Sequence, residues 1–149
     1  MIPQIDLVPL QLAEQAGGDE LFLVTRVLFG AVLAFMGLNH FMQVDQMAQY
    51  ASFKGLPAPK LSVIVSGLVL VGGGLGIVLG VAPVLAGAAL AGFLLIAAVT
   101  MHDFWAVDEE DQQTEMTQFL KNIGLAGGAL SFVVLGLLEW PYAVNIGLF

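Results

Sequence analysis

Four stretches of this chain, residues 21–42, 61–80, 82–104 and 116–138, are predominantly apolar, and each is close to the roughly twenty residues a helix needs to cross about 30 Å of hydrocarbon. In lipid, backbone N–H and C=O groups must be satisfied within the segment, so an open strand is excluded and a helix remains. Composition agrees. Of 149 residues, 58% are hydrophobic and 11% charged, against about a quarter charged in a soluble domain. So little polar surface cannot coat a water-facing globule. The expected fold is all-α: a four-transmembrane-helix bundle over residues 21–149, with a short N-terminal interfacial segment over residues 1–20. In that segment Ile2, Ile5, Val8 and Leu12 recur at helical spacing, with Pro3 and Pro9 interrupting, so a helix along the interface and a frayed tail both fit. The segment lacks a basic start and carries Asp6, Glu14, Asp19 and Glu20, unlike a secretory signal.

The connectors are polar or broken by proline and glycine. Asp45, Gln46, Gln49, Tyr50 and Lys54 precede Gly55-Leu56-Pro57-Ala58-Pro59, which reads as a loop. Gly80-Val81-Ala82-Pro83 allows only a tight hairpin, and Asp108-Glu109-Glu110-Asp111 reads as a solvated acidic turn. Trp140-Pro141-Tyr142 suits the headgroup level.

Four crossings put both termini on one side. His40, His102, Asp103, Lys121 and Asn122 then gather at the other end. Small residues at four-residue intervals let helices approach closely in lipid, and this marks Gly72, Gly76 and Gly80 in span two and Gly124 and Gly128 in span four as packing positions. Helical periodicity places Arg26, Gly30, Leu33, Gly37 and His40 on one stripe of span one. It also groups Ala88, Ala91, Leu95, Ala98 and His102 in span three, and Lys121 with Gly124 and Gly128 in span four. The polar residues are thus expected inside the bundle, where burial in hydrocarbon costs least.

Each candidate has a functional and a structural reading. His40 and His102 could bind a quinone carbonyl or pass a proton, or could only fix helix ends through a carbonyl or carboxylate. Lys121 could pair with Asp103 or a bound ligand, or snorkel to the interface. Asn122 could bridge helices. Trp105 serves as an interface anchor or a ligand stacker, and Arg26 is expected to snorkel. Cysteine is absent, which excludes disulfides, thiolate catalysis and iron–sulfur sites. The spacing of His102 and Asp103 does not suit a metal, and no attachment motif supports haem, so no intrinsic cofactor is expected and quinone is the candidate ligand. Net charge is −8, with four basic residues against twelve acidic. That balance argues against nucleic acid and would suit a salt-rich setting. Membrane lipid and a protein partner within a larger complex are the expected partners.

The ordered set of Arg26-Val27-Leu28-Phe29-Gly30, Phe35 and Gly37, Gln49-Tyr50, Gly55-Leu56-Pro57-Ala58-Pro59, His102-Asp103-Phe104-Trp105 and Met116-Thr117-Gln118-Phe119-Leu120-Lys121-Asn122 with Gly127-Gly128 resembles the DoxX family of small four-helix membrane proteins. The resemblance implies a multi-pass protein of a prokaryotic plasma membrane with cytoplasmic termini. Some relatives are subunits of thiosulfate:quinone oxidoreductase and others belong to oxidative-stress complexes. The function this implies is a quinone-interacting subunit of a membrane redox system. The alternative is a non-catalytic accessory or scaffold subunit of a larger respiratory complex. Span two, 61–80, carries no carboxylate, so a buried acid found in some relatives is not carried over.

Overall fold

A computed structural model describes residues 17–147; the interfacial segment expected over 1–20 lies mostly outside the described residues. Among the described residues five helices run in the order α1 (Gly18–Met42), α2 (Val44–Phe53), α3 (Pro59–Leu79), α4 (Pro83–Met101) and α5 (Glu109–Leu135). Four of them, α1, α3, α4 and α5, are long and apolar enough to cross a membrane. The fold is an all-α four-span bundle, as the four apolar stretches imply.

Local chemistry sets the helix boundaries. Asp19 and Glu20 lie in the first turn of α1, where the helix dipole favours negative charge. Pro59 and Pro83 open α3 and α4, positions at which the missing N–H leaves no helical bond unmade. Gly80 ends α3 in the left-handed conformation at φ 69°, its N–H donating to the Gly76 carbonyl. A side chain there would meet Ala143 Cβ at 2.6 Å, so both conformation and space require glycine.

Two connectors differ from expectation. The stretch read as a loop contains α2, a ten-residue helix. Ala48 and Ala51 bury against Val63 of α3, while Gln46, Gln49 and Tyr50 stay on the exposed side, so the polar composition concealed an amphipathic helix. The run Asp108–Asp111 is also not a free turn. Glu109, Glu110 and Asp111 form the first turn of α5, stabilised by its positive end, and the fourth span begins two turns earlier than its apolar stretch suggests.

Packing faces are set by close backbone approach. A Cβ on Gly74 would lie 2.7 Å from Ala34 N of α1, and one on Gly37 2.8 Å from Gly67 O of α3. Gly30 of α1 abuts Gly74 O, and Gly76 faces Ala86 Cβ across the α3–α4 hairpin at 2.9 Å. Gly128 packs on Phe29 of α1 at 3.0 Å. Gly72 and Gly124 correct the expected stripes, because a side chain at either would meet nothing within 4 Å. Gly72 instead lines an apolar groove of about 420 Å³ between α3 and α4. The inner stripe of α5 is Asn122, Ala126, Ala129 and Phe132, one residue over from Lys121, Gly124 and Gly128. One residue is a 100° turn on a helix, enough to carry Lys121 from inside to outside. Likewise Ala88 and Leu95 of the α4 stripe are exposed, and Leu90 and Leu94 fill the core instead.

Candidate functional site

The end of the bundle opposite the described termini holds a connected set of polar side chains from three parts of the chain. Tyr50 sits on α2, and Lys54 caps its C-terminus. His102 caps α4, Asp103 follows it, and Glu115 lies in the second turn of α5. The Glu115 carboxylate is the hub: Oε1 accepts from Tyr50 Oη at 2.9 Å, and Oε2 lies 2.8 Å from His102 Nδ1. The Tyr50 hydroxyl also reaches the Met101 carbonyl at 3.3 Å. Lys54 Nζ forms an ion pair with Asp103 and stands 5.6 Å from the centre of the Tyr50 ring.

These groups differ in access to water. The Lys54 side chain is 6% exposed, whereas Glu115, His102 and Asp103 keep 15%, 21% and 28%. Desolvation pulls the Lys54 pKa down, but the hydrogen bond to Asp103 and the charges of Tyr50, Asp103 and Glu115 outweigh it and leave it raised. The hydrogen bond from Lys54 holds the Asp103 carboxyl below its ordinary range. Burial, then the hydrogen bond to Glu115, pushes the Tyr50 hydroxyl up. Beside the network, Phe104, Trp105 and Phe119 form an edge-to-face cluster with ring centres 5.1–5.8 Å apart. Trp105 is 56% exposed.

Of the residues singled out from sequence, His102 and Asp103 enter this network and Trp105 stands in the aromatic cluster next to it. His40 does not hydrogen-bond to them among the described residues. Its Nδ1 lies 2.9 Å from the Met36 carbonyl of its own helix, and its ring meets Phe93 of α4 edge-on. Lys121 is exposed and hydrogen-bonds Gln118 one turn back, away from Asp103. Asn122 is buried on the inner face of α5. Sequence reasoning passed over Tyr50, Lys54 and Glu115. The signal for the first two was their four-residue spacing, which shares a face only once α2 is read as a helix. Among the described residues no group of three His, Cys, Asp or Glu could hold a metal ion.

A second polar centre occupies the other end, and it overturns the expectation that Arg26 snorkels. Arg26 is 0% exposed. Its Nη2 donates to the carbonyls of Pro141 and Tyr142 at 2.9 and 3.0 Å, and the guanidinium lies 5.3 and 5.4 Å from the ring centres of Phe22 and Trp140. Nε and Nη1 have no partner among the described residues. The chain after α5 supplies these contacts by folding back over the bundle. Val144 N donates to Leu79 O at 2.8 Å and Ala82 N to Ile146 O at 2.6 Å. Trp140 is consequently 4% exposed, and its indole N–H donates to Leu135 O.

Comparison with known proteins agrees with this architecture. The DoxX family model matches residues 21–103. The Escherichia coli (strain K12) protein named inner membrane protein YphA is 27% identical over 126 residues, covering 85% of this chain and 87% of that one. No solved structure matches the chain. With the match running from the first apolar helix through His102-Asp103, this multi-pass membrane protein belongs to the DoxX family.

Proposed function

We propose that this protein is a quinone-interacting subunit of a membrane redox system, in a prokaryotic plasma membrane with both termini cytoplasmic. The observation that carries the reading is the His102–Glu115 pair, partly exposed at the end of a span and flanked by Phe104, Trp105 and Phe119. A carboxylate-oriented imidazole at the membrane surface can exchange a hydrogen bond or proton with an oxygenated headgroup. The aromatic faces suit a flat ring, and pockets of this type are apolar with few polar groups. The name of the Escherichia coli relative supports the inner-membrane location. With no cysteine in the chain, oxidation of a sulfur or other substrate falls to a partner subunit carrying a cofactor. Titration of the purified protein with a short-tailed quinone and with its hydroquinone tests the reading. His102→Ala is expected to weaken binding of the tighter-bound redox form about tenfold, the usual effect of losing one well-placed hydrogen bond. Unchanged affinity would count against this site.

One observation favours a second reading, an accessory subunit without redox contact. Tyr50, Lys54, Asp103 and Glu115 largely satisfy one another, and in doing so tie α2, the α4–α5 turn and α5 together. In that case substitution of His102 lowers stability while turnover per assembled complex is kept. Lost turnover in a fully assembled complex contradicts it.

A further inference from the structure

We infer that the site discriminates by hydrogen-bond direction: it takes a ligand that donates an O–H, a hydroquinone, in preference to the matching quinone, which can only accept. The inference rests on the quinone reading above and specifies which redox form binds.

The argument is an accounting of donors. Both Glu115 oxygens are engaged, one by the Tyr50 hydroxyl and one by His102 Nδ1. An ionised carboxylate can only accept, so the shared proton of the His102–Glu115 contact belongs to Nδ1. In a neutral imidazole that leaves Nε2 bare, with a lone pair and no proton. No described residue hydrogen-bonds Nε2, and the His102 side chain as a whole is 21% exposed. The Tyr50 hydrogen is committed to Glu115 or the Met101 carbonyl, both acceptors. The Lys54 ammonium is enclosed, paired with Asp103 and set against the Tyr50 ring. The side-chain donors of the network are therefore turned inward. What faces a ligand is acceptor: His102 Nε2 and the more exposed carboxylate of Asp103. A quinone carbonyl brought to these atoms sets lone pair against lone pair, while a hydroquinone supplies the missing hydrogen. Trp105 could donate its indole N–H, but it is 56% exposed and water competes for it there. Binding in this sense makes and breaks no covalent bond.

The test uses the full chain in lipid nanodiscs at pH 8. A benzohydroquinone bearing one isoprenoid unit, kept reduced under anaerobic conditions, is compared with its quinone and with its dimethyl ether. The hydroquinone is expected to bind about tenfold more tightly than either, the usual penalty for leaving one acceptor facing another. Equal binding, or tighter quinone, overturns the inference and leaves the quinone reading standing. Failure of all three to bind overturns both. Glu115→Gln gives a signature that a merely structural role would not produce. Its carboxamide oxygen can still accept from Tyr50 while its NH₂ donates to Nδ1, which moves the histidine proton to Nε2. The preference should then swing toward the quinone, and a preference unchanged in well-folded E115Q contradicts the inference. Should that variant fail to fold, nitrogen NMR of histidine-labelled wild type decides, with His40→Gln used to assign the two rings. A proton on Nδ1 of His102 is the expected result, and a proton on Nε2 alone overturns it.

Discussion

The two ends of the bundle solve the same problem differently. At one end Arg26 is sealed among Phe22, Trp140 and two backbone carbonyls, with no carboxylate bonded to it among the described residues. At the other, Lys54, Asp103, His102, Glu115 and Tyr50 pair charge with charge, and several remain in reach of water. A charge in a dry interior holds only if its surroundings are over-determined, because breaking such contacts leaves polar groups buried and unpaired. A charge at a wet rim can lose a partner at modest cost, since water replaces it. The sealed end therefore depends on keeping every contact, while the rim tolerates exchange of a partner for water.

The largest effect that could break this contrast is at the sealed end. Arg26→Ala leaves the Pro141 and Tyr142 carbonyls without their donor and opens a void beside Trp140, and should cost about 2–5 kcal/mol. Thermal unfolding in detergent reads the loss, and protease cutting within residues 139–147 should accelerate with it. A variant as stable as wild type would remove the distinction between the two ends. Next comes helix spacing. Gly74→Val drives a branched side chain into Gly30 and Ala34 of α1 and should destabilise by about 1–3 kcal/mol. Gly72→Ala, two residues away on the open groove, should stay within about 0.5 kcal/mol of wild type by the same unfolding assay.

At the rim the effects are smaller and depend on pH. The Asp103 carboxyl is depressed by Lys54, so its contribution is present above the ordinary aspartate range and is lost as pH falls through its lower folded value. The Lys54 pKa is raised overall, so its contribution is complete below the ordinary lysine range and is lost as pH rises through its higher folded value. Docking of α2 should therefore be firmest between about pH 4 and 10, and amide protection across α2, corrected for the intrinsic exchange rate at each pH, should fall outside that window. Lys54→Met should flatten both sides of this profile. Lys121→Gln, whose partner is Gln118 on its own helix, should leave it unchanged. A Lys121→Gln effect as large as that of Lys54→Met would place Lys121 within the working network.

How much of this was legible in the sequence depended on the strength of the pattern. Four apolar stretches declare four helices, because hydrocarbon permits little else. Their consequence, that His102 and Asp103 meet other polar groups at one end, follows from counting crossings. What the pattern could not supply was rotation about each helix axis. The glycines of span four seemed to mark its inner face, but Asn122, Ala126 and Ala129 hold it, and the single-residue offset moved Lys121 to the exterior. Tyr50, Lys54 and Glu115 were hidden for another reason: α2 is too short and too polar to announce itself by hydropathy. Arg26 was misread because its acceptors lie 115 and 116 residues later, a separation no local rule spans.

That same separation bears on how the molecule is made. Arg26 lies on α1, while Pro141 and Tyr142 are synthesised 115 and 116 residues later. Until those residues are made the guanidinium lacks both carbonyl acceptors, so the stretch after α5 acts as a latch on α1. Chains stopped short of residue 141 should carry an unlatched arginine.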